Sequence, residues 1–175
     1  MVSMDNVLQG NFYNPSCGNL TLEAMLGEIV KYAKQKPEKF YDVIVGCDSS
    51  SEKDPIFPIA VVVLRKGEGG RFFLRKIHFN ANEQKRFKNW RMRIIQEVIL
   101  SCELALYLKG EIEKRMLALD EVPHYEFRYI HADVGENGET REMIKEVVGL
   151  IKGNGFEPKI KPESFVASAV ADKYC

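Results

Sequence analysis

The chain predicts a mixed α/β fold on a five-stranded sheet, three antiparallel strands followed by a parallel β-α-β unit, with helices on both faces. Three observations carry that expectation. Three strand-like runs, an apolar one at 42–47, one rich in β-branched residues at 56–64 and a third at 71–79, are separated by short polar connections. Such strands must form an antiparallel meander, because parallel neighbours need a crossover of about a dozen or more residues. The pattern then changes to a helical period over 88–109, and two further apolar segments, 125–132 and 156–160, flank another helical stretch, as parallel strands joined by a crossover do.

The elements follow in order. Residues 1–20 read as an irregular N-terminal segment, marked by Gly10, Asn14, Pro15 and Gly18, and residues 21–175 as one domain. Thr21 can cap a helix whose apolar residues Leu22, Met25, Leu26, Ile29, Val30 and Ala33 repeat at i, i+3, i+4 and i+7, and Pro37 stops it. The strand 42–47 ends at Asp48, and Gly67-Glu68-Gly69-Gly70 turns the chain between the next two strands. In the long helix, Ile94, Ile95, Val98, Ile99, Cys102, Ala105 and Leu106 read as one apolar stripe, with a helical extension and a loop before Pro123. A helix with Met143, Ile144, Val147, Val148 and Ile151 ends at Gly153-Asn154-Gly155, and Pro162 opens a last short helix with Phe165, Val166, Ala169 and Val170 inside.

Composition narrows the function classes. Lys plus Arg and Asp plus Glu number 25 each, so net charge argues for no particular partner and only local patches can. Apolar runs are too short for a membrane span, and the first residues lack the basic and apolar regions of a signal peptide. Cys17, Cys47, Cys102 and Cys175 are far apart, which argues against a cysteine zinc site. Cys47 and Cys102 fall in apolar patterns as buried thiols, and a cytoplasmic location is expected.

Asp48, Glu97, Asp133 and Asp172 are the candidate catalytic and metal-ligating residues. The simplest topology puts the 42–48 strand in the middle, with its hairpin partners on one side and the 125–132 and 156–160 strands parallel to it on the other. Asp48 and Asp133 then end two parallel strands, where open α/β sheets place their working crevice. Glu97 shares a helix row with Ser101, Leu104 and Leu108 at the border of the core, whereas Gln96 and Glu103 face water. An ion pair with Arg93 is the plain alternative for Glu97, and turn or terminal roles are the plain alternatives for Asp48, Asp133 and Asp172. Clustered carboxylates repel one another and so hold a hard cation or share protons. His131 alternates to the side of Asp133 and reads as structural.

A basic segment, Gln84-Lys85-Arg86-Phe87-Lys88-Asn89-Trp90-Arg91-Met92-Arg93, interleaves cations with aromatics. Lys85, Arg86, Lys88 and Arg91 suit phosphates and Trp90 suits a base or ribose; the competing reading is a solvated helix entry with Trp90 in the core. Lys159, Lys161 and Lys173 lie near the expected site and add phosphate contacts.

The stretches Val45-Gly46-Cys47-Asp48-Ser49, Arg93-Ile94-Ile95-Gln96-Glu97-Val98, His131-Ala132-Asp133-Val134-Gly135 with Thr140-Arg141, and Ala169-Val170-Ala171-Asp172-Lys173 together resemble the YkuK-like family of predicted ribonuclease H-like, RuvC-related nucleases. The resemblance covers about residues 20–175, and the ordered set is its anchor. One departure is local: ribonuclease H enzymes place the helix glutamate straight after an Arg-Met pair, whereas here Arg93 follows Arg91-Met92 and Glu97 comes a turn later. The resemblance implies a ribonuclease H-like fold and a nuclease using two Mg²⁺ or Mn²⁺ ions, with Asp48 bridging, Glu97 and Asp133 completing one ion site and Asp172 the other. It implies nucleic acid as partner and, because junction-cutting relatives act as dimers, allows a homodimer. The rival readings are a catalytically silent ribonuclease H-like module binding nucleic acid or protein, and an actin-like phosphotransferase, which Glu136 and Glu139 disfavour by repelling phosphate.

Overall fold

The computed structural model describes residues 5–171, so Asp172 and Lys173 lie outside the described residues. The segment expected to be irregular carries a short helix α1 (Asp5–Leu8) and a hairpin of β1 (Phe12–Asn14) and β2 (Gly18–Leu20). Asn14 organises the hairpin turn: its side-chain oxygen accepts from Ser16 and Cys17, and its amide donates to Phe72 O at 2.9 Å. Strands of three residues leave no readable alternation, which is why this addition escaped the sequence pattern.

The next helix, α2 (Leu22–Lys34), is capped by Thr21, whose hydroxyl accepts from Ala24 N at 3.2 Å. The meander β3 (Phe40–Cys47), β4 (Phe57–Arg65) and β5 (Gly69–Ile77) is antiparallel throughout. A short helix α3 (Ala81–Gln84) and a 3₁₀ turn over 85–88 lead into α4 (Trp90–Leu117), which absorbs the expected extension into one continuous helix. The strand expected over 125–132 is split into β6 (His124–Glu126) and β7 (Tyr129–Ala132), both parallel to β3. A 3₁₀ turn (Glu139–Met143), α5 (Ile144–Gly153) and β8 (Glu157–Lys159) complete the crossover. The chain ends its described course in a π-helical stretch, Val166–Ala171. The sheet runs β2-β1-β5-β4-β3-β7-β8, with β6 also on β3. The central strand and its flanks are those the sequence predicts, and the hairpin β1–β2 adds an edge beside β5.

Alternation along β3 divides the core. Tyr41, Val43, Val45 and Cys47 join the large cluster with Met25, Leu26, Ile29, Val98, Leu104, Leu108 and Ile151, so α2, α4 and α5 share one face. Ile44, Ala60, Val62 and Leu74 point to the other face, where Val166 of the π-helical stretch covers them. Gly46 makes that second layer fit. A Cβ at Gly46 would stand 2.8 Å from Ala167 N and 3.1 Å from Val166 Cγ1, so only glycine lets the C-terminal stretch lie directly on the central strand.

The stripe on α4 differs from the expected one. Glu97, Val98, Ser101, Leu104, Ala105 and Leu108 are buried, whereas Leu106 is exposed. The row read as bordering the core therefore lies within it. Gln96 is buried too, and Glu103 is half-buried with one carboxylate oxygen lacking a hydrogen-bond partner, so neither faces water as expected. The cause is that α4 is covered by α1, α2 and α5 as well as by the sheet.

Candidate active site

Strand register sets the site. Cys47 pairs with Ala132 in the parallel β3–β7 ladder, so the next residues, Asp48 and Asp133, leave adjacent strands at the same level. Glu97 reaches this point from α4. The helix face Trp90, Arg93, Ile94 and Glu97, at i, i+3, i+4 and i+7, runs past the end of the sheet and lines a cavity with Asp48, Ser49, Ser51, Asp133, Glu139 and Thr140. The cavity measures about 230 Å³. Further along α4 the same face continues into the core, so burial of Leu104 and Leu108 fixes the rotation that aims Glu97 inward.

Glu97 is 7% exposed. Its Oε1 accepts from Ser49 N at 3.0 Å and from Ser49 Oγ at 2.5 Å, which ties the helix carboxylate to the loop following Asp48. Burial, and then the nearby Asp48 charge, push its pKa up to about 8 although the Ser49 hydrogen bonds pull it down; Asp133 adds a smaller upward push. The expected alternative partner is engaged elsewhere, since Arg93 Nη1 donates to Phe87 O at 3.3 Å. Asp133 holds Lys161 Nζ at 2.9 Å through Oδ2, while its Oδ1 is buried without a hydrogen-bond partner.

The loop after Asp133 returns to the cavity because Gly138 takes φ +90°, a left-handed turn that suits glycine. That reversal starts the 3₁₀ turn carrying Glu139 and Thr140, and Thr140 Oγ1 accepts from Gly135 N at 3.2 Å. Sequence reasoning missed Ser49, Ser51, Glu139 and Thr140 as lining residues. The signal for Ser49 was its place beside Asp48, and for Thr140 its place among the stretches that carry the family resemblance; for Ser51 and Glu139 the loop path decides, and no local pattern encodes it.

The basic segment divides. Trp90 is half-buried, packed partly against the core and open on the side that lines the cavity. Phe87 is buried among Phe57 and Phe79, with ring centroids 4.9 Å from each, and is closed to a base. Lys85, Arg86 and Lys88 are exposed on the turn before α4 and do not line the cavity. Arg91 lies against the Trp90 ring at 5.3 Å and forms an ion pair with Glu142. Lys161 reaches the site through Asp133. Asp172 and Lys173 have no described position.

His131 is structural in its contacts. It is buried, and its Nδ1 accepts from Phe165 N at 3.2 Å and Val166 N at 3.3 Å, capping the start of the C-terminal stretch. Burial, with Lys159 nearby, lowers its pKa to about 4, which keeps the accepting nitrogen unprotonated near neutrality.

The donor set suits a hard divalent cation: carboxylate oxygens only, mutually repelling, with a buried Asp133 oxygen lacking a partner. Among the described residues no group of three or more His, Cys, Asp or Glu side chains is drawn together closely enough to hold a metal ion. The carboxylates therefore share a cavity without forming a closed cage among those residues.

A central strand flanked by an antiparallel meander and a parallel crossover, with carboxylates at the ends of its adjacent parallel strands, defines a protein of the ribonuclease H-like class. The Ribonuclease H-like family profile matches residues 24–175, and the chain belongs to that family. It is 27% identical over 169 residues to Uncharacterized protein YkuK of Bacillus subtilis (strain 168), an alignment covering 93% of this chain and 95% of that protein. No solved structure is a significant match. Family membership points to a role with nucleic acid. Among the described residues no helix is long and apolar enough to cross a membrane.

Proposed function

We propose that the chain is a metal-dependent nuclease that hydrolyses phosphodiester bonds of nucleic acid with two Mg²⁺ or Mn²⁺ ions. The observation that carries this reading is the convergence of Asp48, Glu97 and Asp133, from three separate elements, on one cavity. Asp48, Glu97, Asp133 and Asp172 would hold the ions, which when bound supply charge neutralisation at the phosphodiester and lower the pKa of water.

The chain's own residues supply position. Ser49 fixes the orientation of Glu97 through its two hydrogen bonds, so the helix carboxylate meets the strand carboxylates in one geometry. Arg93 on the cavity wall offers a planar cation to a phosphate oxygen, and the Trp90 face offers a surface to a sugar or base. Thr140, through its bond to Gly135, holds the loop after Asp133 against the cavity. Water adds to phosphorus, the bond to the leaving oxygen breaks, and the proton that the water gives up ends on that leaving oxygen.

The test is cleavage of labelled single-stranded and duplex RNA and DNA, with Mg²⁺ or Mn²⁺ and with EDTA. Asp48→Asn should reduce metal-dependent cleavage by about a thousandfold, matching several kcal/mol of lost charge stabilisation. Full metal-dependent cleavage by that variant would overturn the reading.

A second reading, a catalytically silent module that binds nucleic acid or protein, is favoured by one observation: among the described residues no group of three metal-ligating side chains is closed around a point. Calorimetric titration with Mn²⁺ separates the two. Absent binding supports the silent module.

A further inference from the structure

We infer that Lys161 is a built-in counter-ion that guards Asp133 against divalent cations until a phosphodiester takes over its ammonium. The inference rests on the nuclease reading of the same site. Its basis is the way Lys161 is mounted. The backbone N–H of Lys161 donates to Val134 O at 2.8 Å, and its stem crosses Gly135 so closely that a Cβ there would stand 2.9 Å from Lys161 Cβ. The base of the side chain is thereby fixed beside the loop that follows Asp133. The far end is different: the side chain is 50% exposed, and its Nζ reaches Asp133 Oδ2 at 2.9 Å. Lys161 also borders a second cavity, of about 500 Å³, shared with Gly135, Asn137 and Pro162, which leaves open space beside the side chain for the ammonium to swing into.

The energetics fit a guard that yields. A half-exposed ion pair is weak, so Asp133 can exchange Lys161 for a doubly charged cation at little cost. An ammonium displaced next to such a cation would be repelled, unless an anion receives it. A phosphate oxygen entering the cavity is that anion. Lys161 therefore couples the two bindings: phosphodiester favours the cation, and by linkage the cation favours phosphodiester. Substrate-free protein holds divalent ions loosely.

Calorimetry with Mn²⁺ on the wild type, Lys161→Met and Lys161→Arg tests the inference without reading activity. Lys161→Met, which keeps the stem and removes the charge, should bind Mn²⁺ about threefold to fivefold tighter, the weight of one half-exposed ion pair. Lys161→Arg should stay near the wild type. A phosphorothioate oligonucleotide should raise Mn²⁺ affinity by a larger factor in the wild type than in Lys161→Met, where only its direct attraction to the cation remains. Far-ultraviolet circular dichroism checks that each variant is folded. If the wild type binds Mn²⁺ and Lys161→Met binds it no tighter, the guard is overturned while the nuclease reading stands. If none of the folded proteins binds Mn²⁺, both fall.

Discussion

Glu97 is the side chain on which the site's electrostatics turn. Its ordinary pKa of 4.5 is lifted to about 8 in the fold. Below the lower value, folded and unfolded chains both carry the proton and the lift costs nothing. Between the two values the unfolded chain releases the proton and the folded one keeps it, so stability falls as pH rises through that window. Urea denaturation from pH 6.5 to pH 8 without metal should show this decline; below that window the lowered pKa of His131 opposes it, because there the unfolded chain takes up a proton that the buried imidazole does not. Glu97→Gln, which cannot ionise, should flatten it and be the more stable protein at pH 8. An unchanged slope in Glu97→Gln would show that another group sets the pH response. The Ser49 pair on Oε1 is the counterweight, two donors that favour the charged form.

At the scale of elements, the closest fit is between β3 and the π-helical stretch. Gly46→Ala would place a methyl against the backbone of Ala167, and backbone cannot rotate away as a side chain can. We expect a loss of about 1–3 kcal/mol, as for overpacked cores, with hydrogen exchange speeding first in 164–171. Exchange that speeds evenly across all strands would mean that β3 itself had been deformed. How much was legible also divides by element. The meander, the crossover and the level placement of Asp48 and Asp133 follow from β-branched runs and connection lengths, which are local and strong signals. The α4 stripe was misassigned because a helix covered on several sides loses the contrast between apolar and polar faces: Gln96 is buried and Leu106 is exposed. Glu139 and Thr140 come to the cavity through the Gly138 reversal, a conformation that a lone glycine allows without prescribing. Asp133 and Asp48 were visible because strands end there; Ser49 owes its role to a partner 48 residues away.

Across the whole molecule, charge is balanced in sum and uneven in place. Lys85, Arg86 and Lys88 stand exposed on the turn that leads into Trp90, next to the cavity wall without belonging to it. They suit the flanking backbone of a bound strand. Replacing all three by Gln should lower the slope of log affinity against log salt by about 2, since each phosphate contact carries about 0.7–0.9. An unchanged slope would remove the turn from the binding surface. The proposed cleavage site and the proposed binding surface are thus separable by experiment: Asp48 by cleavage, the turn by salt.

The outermost strands have their own consequence. The last strand at one border is the short Gly18–Leu20, and at the other it is Glu157-Pro158-Lys159, where proline has no N–H and charges flank it. Arg128 and Glu157, and Lys159 and Glu163, pair across that second border. Short, charged and proline-interrupted outer strands are poor templates for a neighbour's chain, so these two strands disfavour edge-to-edge pairing between copies of this protein.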